Sequence, residues 1–132
     1  MSDGEKVRGY LSWLSGEVEG ILAGLPYGVH GTTRIRDNHV YAEIKGPRLG
    51  TFTLVLGSEA PEIVYDGLYI RHDLIGGEPE DQTEFAKESV DAIVYFLLSG
   101  RVPVKRKSPV FKRPYLSVPM AGGDEWRMKE FR

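Results

Sequence analysis

Apolar residues in this chain follow a helical period in two stretches only, and between those stretches the period is two. In the first stretch Val7, Tyr10, Leu11, Leu14, Val18, Ile21, Leu22 and Leu25 recur at spacings of three and four. That stripe predicts an amphipathic helix starting after a Ser2-to-Glu5 capping box. From Tyr27 to Asp73 polar and apolar residues alternate, with breaks at Asp37-Asn38, Gly46-Pro47, Gly57-Ser58 and Ala60-Pro61. Expected strands are Val29 to Arg36, His39 to Lys45, Thr51 to Leu56, and one or two within Ile63 to His72. Alternation at Val40, Ala42, Ile44 and at Phe52, Leu54, Leu56 means that one sheet face is covered and the other largely polar. The second helical stretch opens at Pro79 or just after it, with Asp81 to Glu84 as a capping box, and closes at Gly100. Its apolar residues cover about two-thirds of the circumference, more than one sheet contact requires.

Prolines at 103, 109, 114 and 119 then forbid a third long helix and favour short edge strands at Val102 to Lys107 and Tyr115 to Val118. The expected class is α+β, an antiparallel sheet of four to six strands packed by an N-terminal helix and a second helix. Residues 1–100 form the compact domain and 101–132 a Pro-rich, basic and aromatic C-terminal arm. At 132 residues and 41% hydrophobic content the chain can bury one core. The arm carries Val110, Phe111, Tyr115, Leu116, Val118, Met120, Trp126, Met128 and Phe131, too much apolar surface to leave in water. No apolar run reaches the roughly 18 residues of a membrane helix and no signal peptide is visible, so a soluble intracellular protein is expected. With zero cysteines, disulfides, thiol catalysis and Cys-ligated zinc are excluded.

A formal charge of −2 hides two opposed blocks. From Glu59 to Asp91 ten acids face only Arg71 and Lys87, whereas from Ala92 to Gly123 there are six Lys or Arg and no acid. Such asymmetry points to a partner or a neighbouring subunit. The basic residues are Arg101, Lys105, Arg106, Lys107, Lys112 and Arg113, with Phe111 and Tyr115 among them. Basic side chains interleaved with aromatics can follow a phosphate backbone, and equally suit an acidic protein surface. A second unusual surface lies on the back of the first helix, where Gly9, Gly16 and Gly20 share a face with Trp13. Each helical Gly costs about 1 kcal/mol relative to Ala, so a smooth track of them beside a Trp suggests close approach of another surface.

Catalytic motifs are sparse. Tyr41-Ala42-Glu43-Ile44-Lys45 resembles the end of the metal-dependent nuclease motif of the PD-(D/E)xK family, whose fold also sets a helix before the sheet. The resemblance implies a metal-binding Glu43, a Lys45 that positions the attacking water, and an Asp on the preceding strand, for which Asp37 is the nearest candidate. Glu-x-Lys is also frequent on solvated strand faces. His30, His39 and His72 lack metal-ligand spacing, no Ser sits in a nucleophile elbow, and Gly46-Pro47-Arg48-Leu49-Gly50 lacks the lysine of a phosphate loop.

The order helix, antiparallel strands, helix, short strands resembles that of small tail-completion or tail-terminator subunits of tailed phages, which form rings and grip neighbours with arms. The leading expectation is therefore a non-enzymatic structural subunit, without metal or cofactor, that oligomerises or docks into a larger complex. Its partner-binding residues would be Trp13, Gly16, Gly20, Arg101, Lys105, Arg106, Lys107, Phe111, Lys112, Arg113 and Tyr115, acting in the cytoplasm or a virion. The alternatives are a nucleic-acid-binding module using the same arm and a PD-(D/E)xK-type nuclease.

Overall fold

The computed structural model describes residues 3–48 and 50–130. The expected Ser2 cap and the side chain of Phe131 lie outside them. Helix α1 spans Asp3–Leu22 and is followed by strands β1 (His30–Arg36), β2 (His39–Lys45), β3 (Phe52–Leu56), β4 (Glu62–Tyr65) and β5 (Tyr69–His72). Helix α2 (Pro79–Ser99) precedes β6 (Val104–Lys107), β7 (Pro114–Pro119) and β8 (Glu125–Glu130). All eight strands join one antiparallel sheet in the order β1-β2-β3-β4-β5-β8-β7-β6. This corrects the expected four to six strands. The segment after Gly100 supplies three strands to the sheet, joined to the first five where Tyr69 and Ile70 pair with Glu130 and Lys129.

Local chemistry explains the turns. Asp37 and Asn38 connect β1 to β2 with φ of 51° and 60°, the two positive values that a type I′ turn requires and that Asp and Asn tolerate. In α2, Pro79 occupies the first helical position, so Asp81 becomes the third, and its carboxylate accepts the Glu78 N–H at 3.1 Å. The expected Asp81-to-Glu84 box is thus displaced by three residues. Gly100 ends the helix in the left-handed region, φ 76°.

Both helices lie on one face of the sheet, α1 against β1 and β2, α2 against α1 and β3. Leu11, Leu14 and Val18 of α1 and Ala86, Val90, Ile93 and Phe96 of α2 are buried with Val40, Ala42 and Ile44 of β2 and Phe52, Leu54 and Leu56 of β3. Leu116, Val118 and Met128 of the last strands belong to the same core. Phe52 joins the parts: its ring centroid lies 4.8 Å from Tyr65, 5.8 Å from Phe96 and 6.4 Å from Trp126. Such aromatic pairs add to the burial itself. Gln82, buried in α2, accepts the Gly57 N–H at 3.1 Å and donates to the Ser58 carbonyl at 2.7 Å, tying the helix to the loop after β3.

Candidate interaction surfaces

The basic residues read from the sequence converge on one hairpin. Lys105, Arg106 and Lys107 lie on β6, Phe111, Lys112 and Arg113 in the connecting loop, and Tyr115 on β7. All four β6 residues are exposed, because β6 is the outermost strand and neither helix packs over it. The expectation that both late strands lie at an edge holds for β6. It fails for β7, which sits between β6 and β8 with Leu116, Ser117 and Val118 buried. Pro114 and Pro119 occupy its two ends, where a missing N–H costs least.

Backbone geometry holds the loop at 108–113 in one shape. Ser108 N–H donates to the Arg113 carbonyl and Lys112 N–H to the Ser108 carbonyl, both at 3.0 Å, while the Ser108 hydroxyl accepts the Arg113 N–H at 3.0 Å. Lys112 takes φ 52°, which turns the chain back. The result is a tip whose Val110 and Phe111 are 80% and 75% exposed, with the Arg113 guanidinium 5.6 Å from the Phe111 ring centroid. Two bare apolar side chains inside a cationic collar are costly to keep in water and suit a counterpart that is apolar at its centre and acidic at its rim.

Such a counterpart exists on the same molecule. Between the start of α2 and the end of β5 lies an open cleft of about 320 Å³, whose apolar wall is Leu74, Ile75, Phe85, Ala92 and Trp126 and whose acids are Asp73 and Glu88. Arg71 spans its floor, with the guanidinium 4.9 Å from the Trp126 ring centroid and bonded at 3.2 Å to each oxygen of Asp73. Leu74 is 86% exposed at the mouth. Sequence reasoning missed this cleft because its residues come from three separated elements. One signal was present: Glu84, Glu88 and Asp91 recur at four and three along α2 and therefore form one acidic stripe.

Tip and cleft lie at opposite ends of the strands. β8 starts beside the cleft at Trp126, and its far end, Lys129, pairs with Tyr115 just past the tip. Trp126 to Lys129 is three residue steps, about 10 Å, and Val110 and Phe111 lie beyond that far end in the loop before Tyr115, so the tip is directed away from the cleft of its own chain.

The remaining predicted residues do not join this hairpin. Arg101 follows the α2 cap, where its N–H donates to the Ser99 hydroxyl at 3.1 Å, and with Arg48 flanks a second groove of about 390 Å³ over Leu97, Leu98 and Val102. Trp13 is 41% exposed on the back of α1 and stacks on Tyr10, ring centroids 6.0 Å apart. Gly16 and Gly20 are exposed, and a Cβ at either would meet nothing within 4 Å.

For the nuclease reading, Glu43 and Lys45 form an exposed ion pair at 3.4 Å, while Asp37 sits in the turn beyond β1 and pairs with Arg36 at 3.3 Å. Five residues of strand and turn lie between Asp37 and Glu43, roughly 20 Å if extended. Among the described residues no group of three His, Asp or Glu could hold a metal ion, and no helix is long and apolar enough to cross a membrane. No protein-family model, characterised protein or solved structure gives a significant match to this chain.

Proposed function

We propose that the protein is a non-enzymatic structural subunit that assembles head to tail, with the β6–β7 hairpin tip of one copy seated in the α2–β5 cleft of the next. The observation that carries this reading is the match between the tip, Val110 and Phe111 flanked by Lys112 and Arg113, and a cleft of apolar wall bearing Glu88, with Asp73 already paired to Arg71. Their placement at opposite ends of the strands favours a contact between copies. A contact of this kind joins two different patches, so repetition gives a closed ring or an open filament. Rings are what the small tail-terminator subunits of tailed phages form, and a virion or cytoplasmic assembly is the setting that this reading implies.

Magnitudes set the strength expected. Full burial of Val and Phe contributes about 3–6 kcal/mol, against an association cost of at least about 4 kcal/mol. The tip therefore anchors the contact without securing it, and the acidic and basic rims must add the remainder. Assembly should depend on concentration and weaken with salt, since screening shortens the reach of exposed charges from about 10 Å at 0.1 M to about 3 Å at 1 M.

The test is the solution mass of the full chain by light scattering across a concentration series, beside the double variant Val110→Ser, Phe111→Ser. The reading expects oligomers of the parent at low salt and a folded monomer of the variant. A parent that stays monomeric at every concentration, or a variant that assembles as the parent does, refutes it. The salt slope of oligonucleotide binding by Lys105→Gln, Lys107→Gln, Lys112→Gln, which leaves Arg106 in place, separates the alternative in which the hairpin itself grips nucleic acid.

A further inference from the structure

The face of the sheet turned away from the helices carries a second pattern, independent of the tip. Pairing aligns Thr53, Val64, Ile70, Lys129, Tyr115 and Arg106 in one continuous row across six strands, a span of about 24 Å. Its centre is apolar and its far end cationic and aromatic. Although no helix covers this face, Val55 and Ile70 are only 8% and 6% exposed, so longer neighbouring side chains close around them. The face is thus a trough with an apolar floor. A shallow depression of about 530 Å³ opens over Ile70 between His72, Glu125, Arg127 and Lys129.

Charge on this face is unequal in kind as well as number. Its strands bring three carboxylates to this side, each already engaged by a neighbour there: Glu43 by Lys45 at 3.4 Å, Glu62 by His72 at 2.8 Å, and Glu125 by Arg127 at 2.8 Å and by the Ser117 hydroxyl. Lys129 and Arg106 make no ion pair among the described residues. Planar cations lie over both tyrosines of the face, Arg34 5.6 Å from the Tyr41 ring centroid and Arg127 5.0 Å from that of Tyr115.

We infer that this trough binds single-stranded nucleic acid, with Lys129 and Arg106 taking phosphates and Tyr115, with Arg127 over it, offering a surface on which a base stacks. Unpaired bases present π-faces to aromatic and guanidinium planes, and their phosphates require spaced cations, which is the arrangement of the row. A duplex keeps its bases stacked inward and gains nothing from Tyr115. An acidic peptide would meet the same cations but has no use for the paired Arg–Tyr planes.

The test is fluorescence anisotropy of the full chain with a labelled single strand of about 20 mixed-sequence nucleotides, the corresponding duplex, and a polyglutamate peptide, at 50 and 200 mM salt. The single strand is expected to bind most tightly. Arg106→Gln with Lys129→Gln, both exposed positions, should weaken it at least tenfold and reduce the salt slope by about 1.4, since each phosphate contact to a single strand contributes about 0.7. Tyr115→Leu keeps an apolar side chain without a π-face and should weaken binding about fivefold or more. Phe111→Ser should leave binding unchanged, which separates this site from the assembly contact. Absence of binding at 50 mM salt, equal affinity for duplex or peptide, or full affinity in the neutralised variant would each overturn the inference.

Discussion

Strands β2 and β6 lie in the same sheet under opposite conditions. β2 alternates strictly, with Val40, Ala42 and Ile44 fully buried beneath the helices, whereas every residue of β6 is exposed. The difference divides the molecule by role. Strands β2 and β3, Ile63 of β4 and the two helices provide the packing that fixes the fold, and β7 and β8 extend that core through Leu116, Val118 and Met128. Beyond β7 the hairpin contributes no side chain to the core. In the assembly reading proposed above, this strand serves contact rather than stability.

The largest effect is expected at Phe52. If one core spans both halves, Phe52→Ala should cost about 3–5 kcal/mol, because it strips contacts to Tyr65, Phe96 and Trp126 together. Urea unfolding followed by Trp fluorescence and by far-UV circular dichroism should then shift as one transition. Two separated transitions would mean that the halves fold independently. Gln82→Ala comes next, at about 1–3 kcal/mol, because it leaves the Gly57 N–H and the Ser58 carbonyl without their partner. The same unfolding experiment measures it.

At the hairpin the expectation reverses. Phe111→Ser should change stability by no more than about 0.5 kcal/mol, since the side chain is 75% exposed, while removing self-association. A large loss of stability would show the tip to be part of the fold.

The smallest effect concerns acid. Hydrogen bonds from the Ser117 hydroxyl and from Arg127 hold the Glu125 carboxyl below the ordinary carboxylate range. A carboxyl depressed in the folded state stabilises above its unfolded pKa, and that contribution disappears as pH falls through the folded value. Stability should therefore decline slightly as pH falls below about 4, and Glu125→Gln should flatten that decline in thermal melts between pH 6 and 3. An unchanged slope would mean that the pair contributes nothing at this exposed site.

Much of the architecture was legible because it depends on local period. The stripe of α1, the alternation of β2 and β3, and the Asp37-Asn38 turn each declare themselves within a few residues. β8 was equally periodic, with Trp126 and Met128 alternating with charges, but the preceding prolines and basic run made residues 101–132 read as an arm. Only long-range pairing of β5 with β8 assigns it to the sheet. The hairpin collar was visible as a cluster of basic and aromatic residues, whereas the cleft was not, since Asp73, Glu88 and Trp126 meet only after folding. Likewise no sequence window reveals that Lys129, Tyr115 and Arg106 stand in one row, because that fact belongs to register.

The most direct test of head-to-tail docking mixes two copies, each disabled at one end. One carries Val110→Ser and Phe111→Ser at the tip, the other Glu88→Lys at the cleft, and solution mass is measured for each alone and for an equimolar mixture. Docking predicts that neither assembles alone and that the mixture stops at a dimer, since one intact tip meets one intact cleft. A mixture that remains monomeric while the parent assembles would contradict the account, as would either variant assembling alone as well as the parent does.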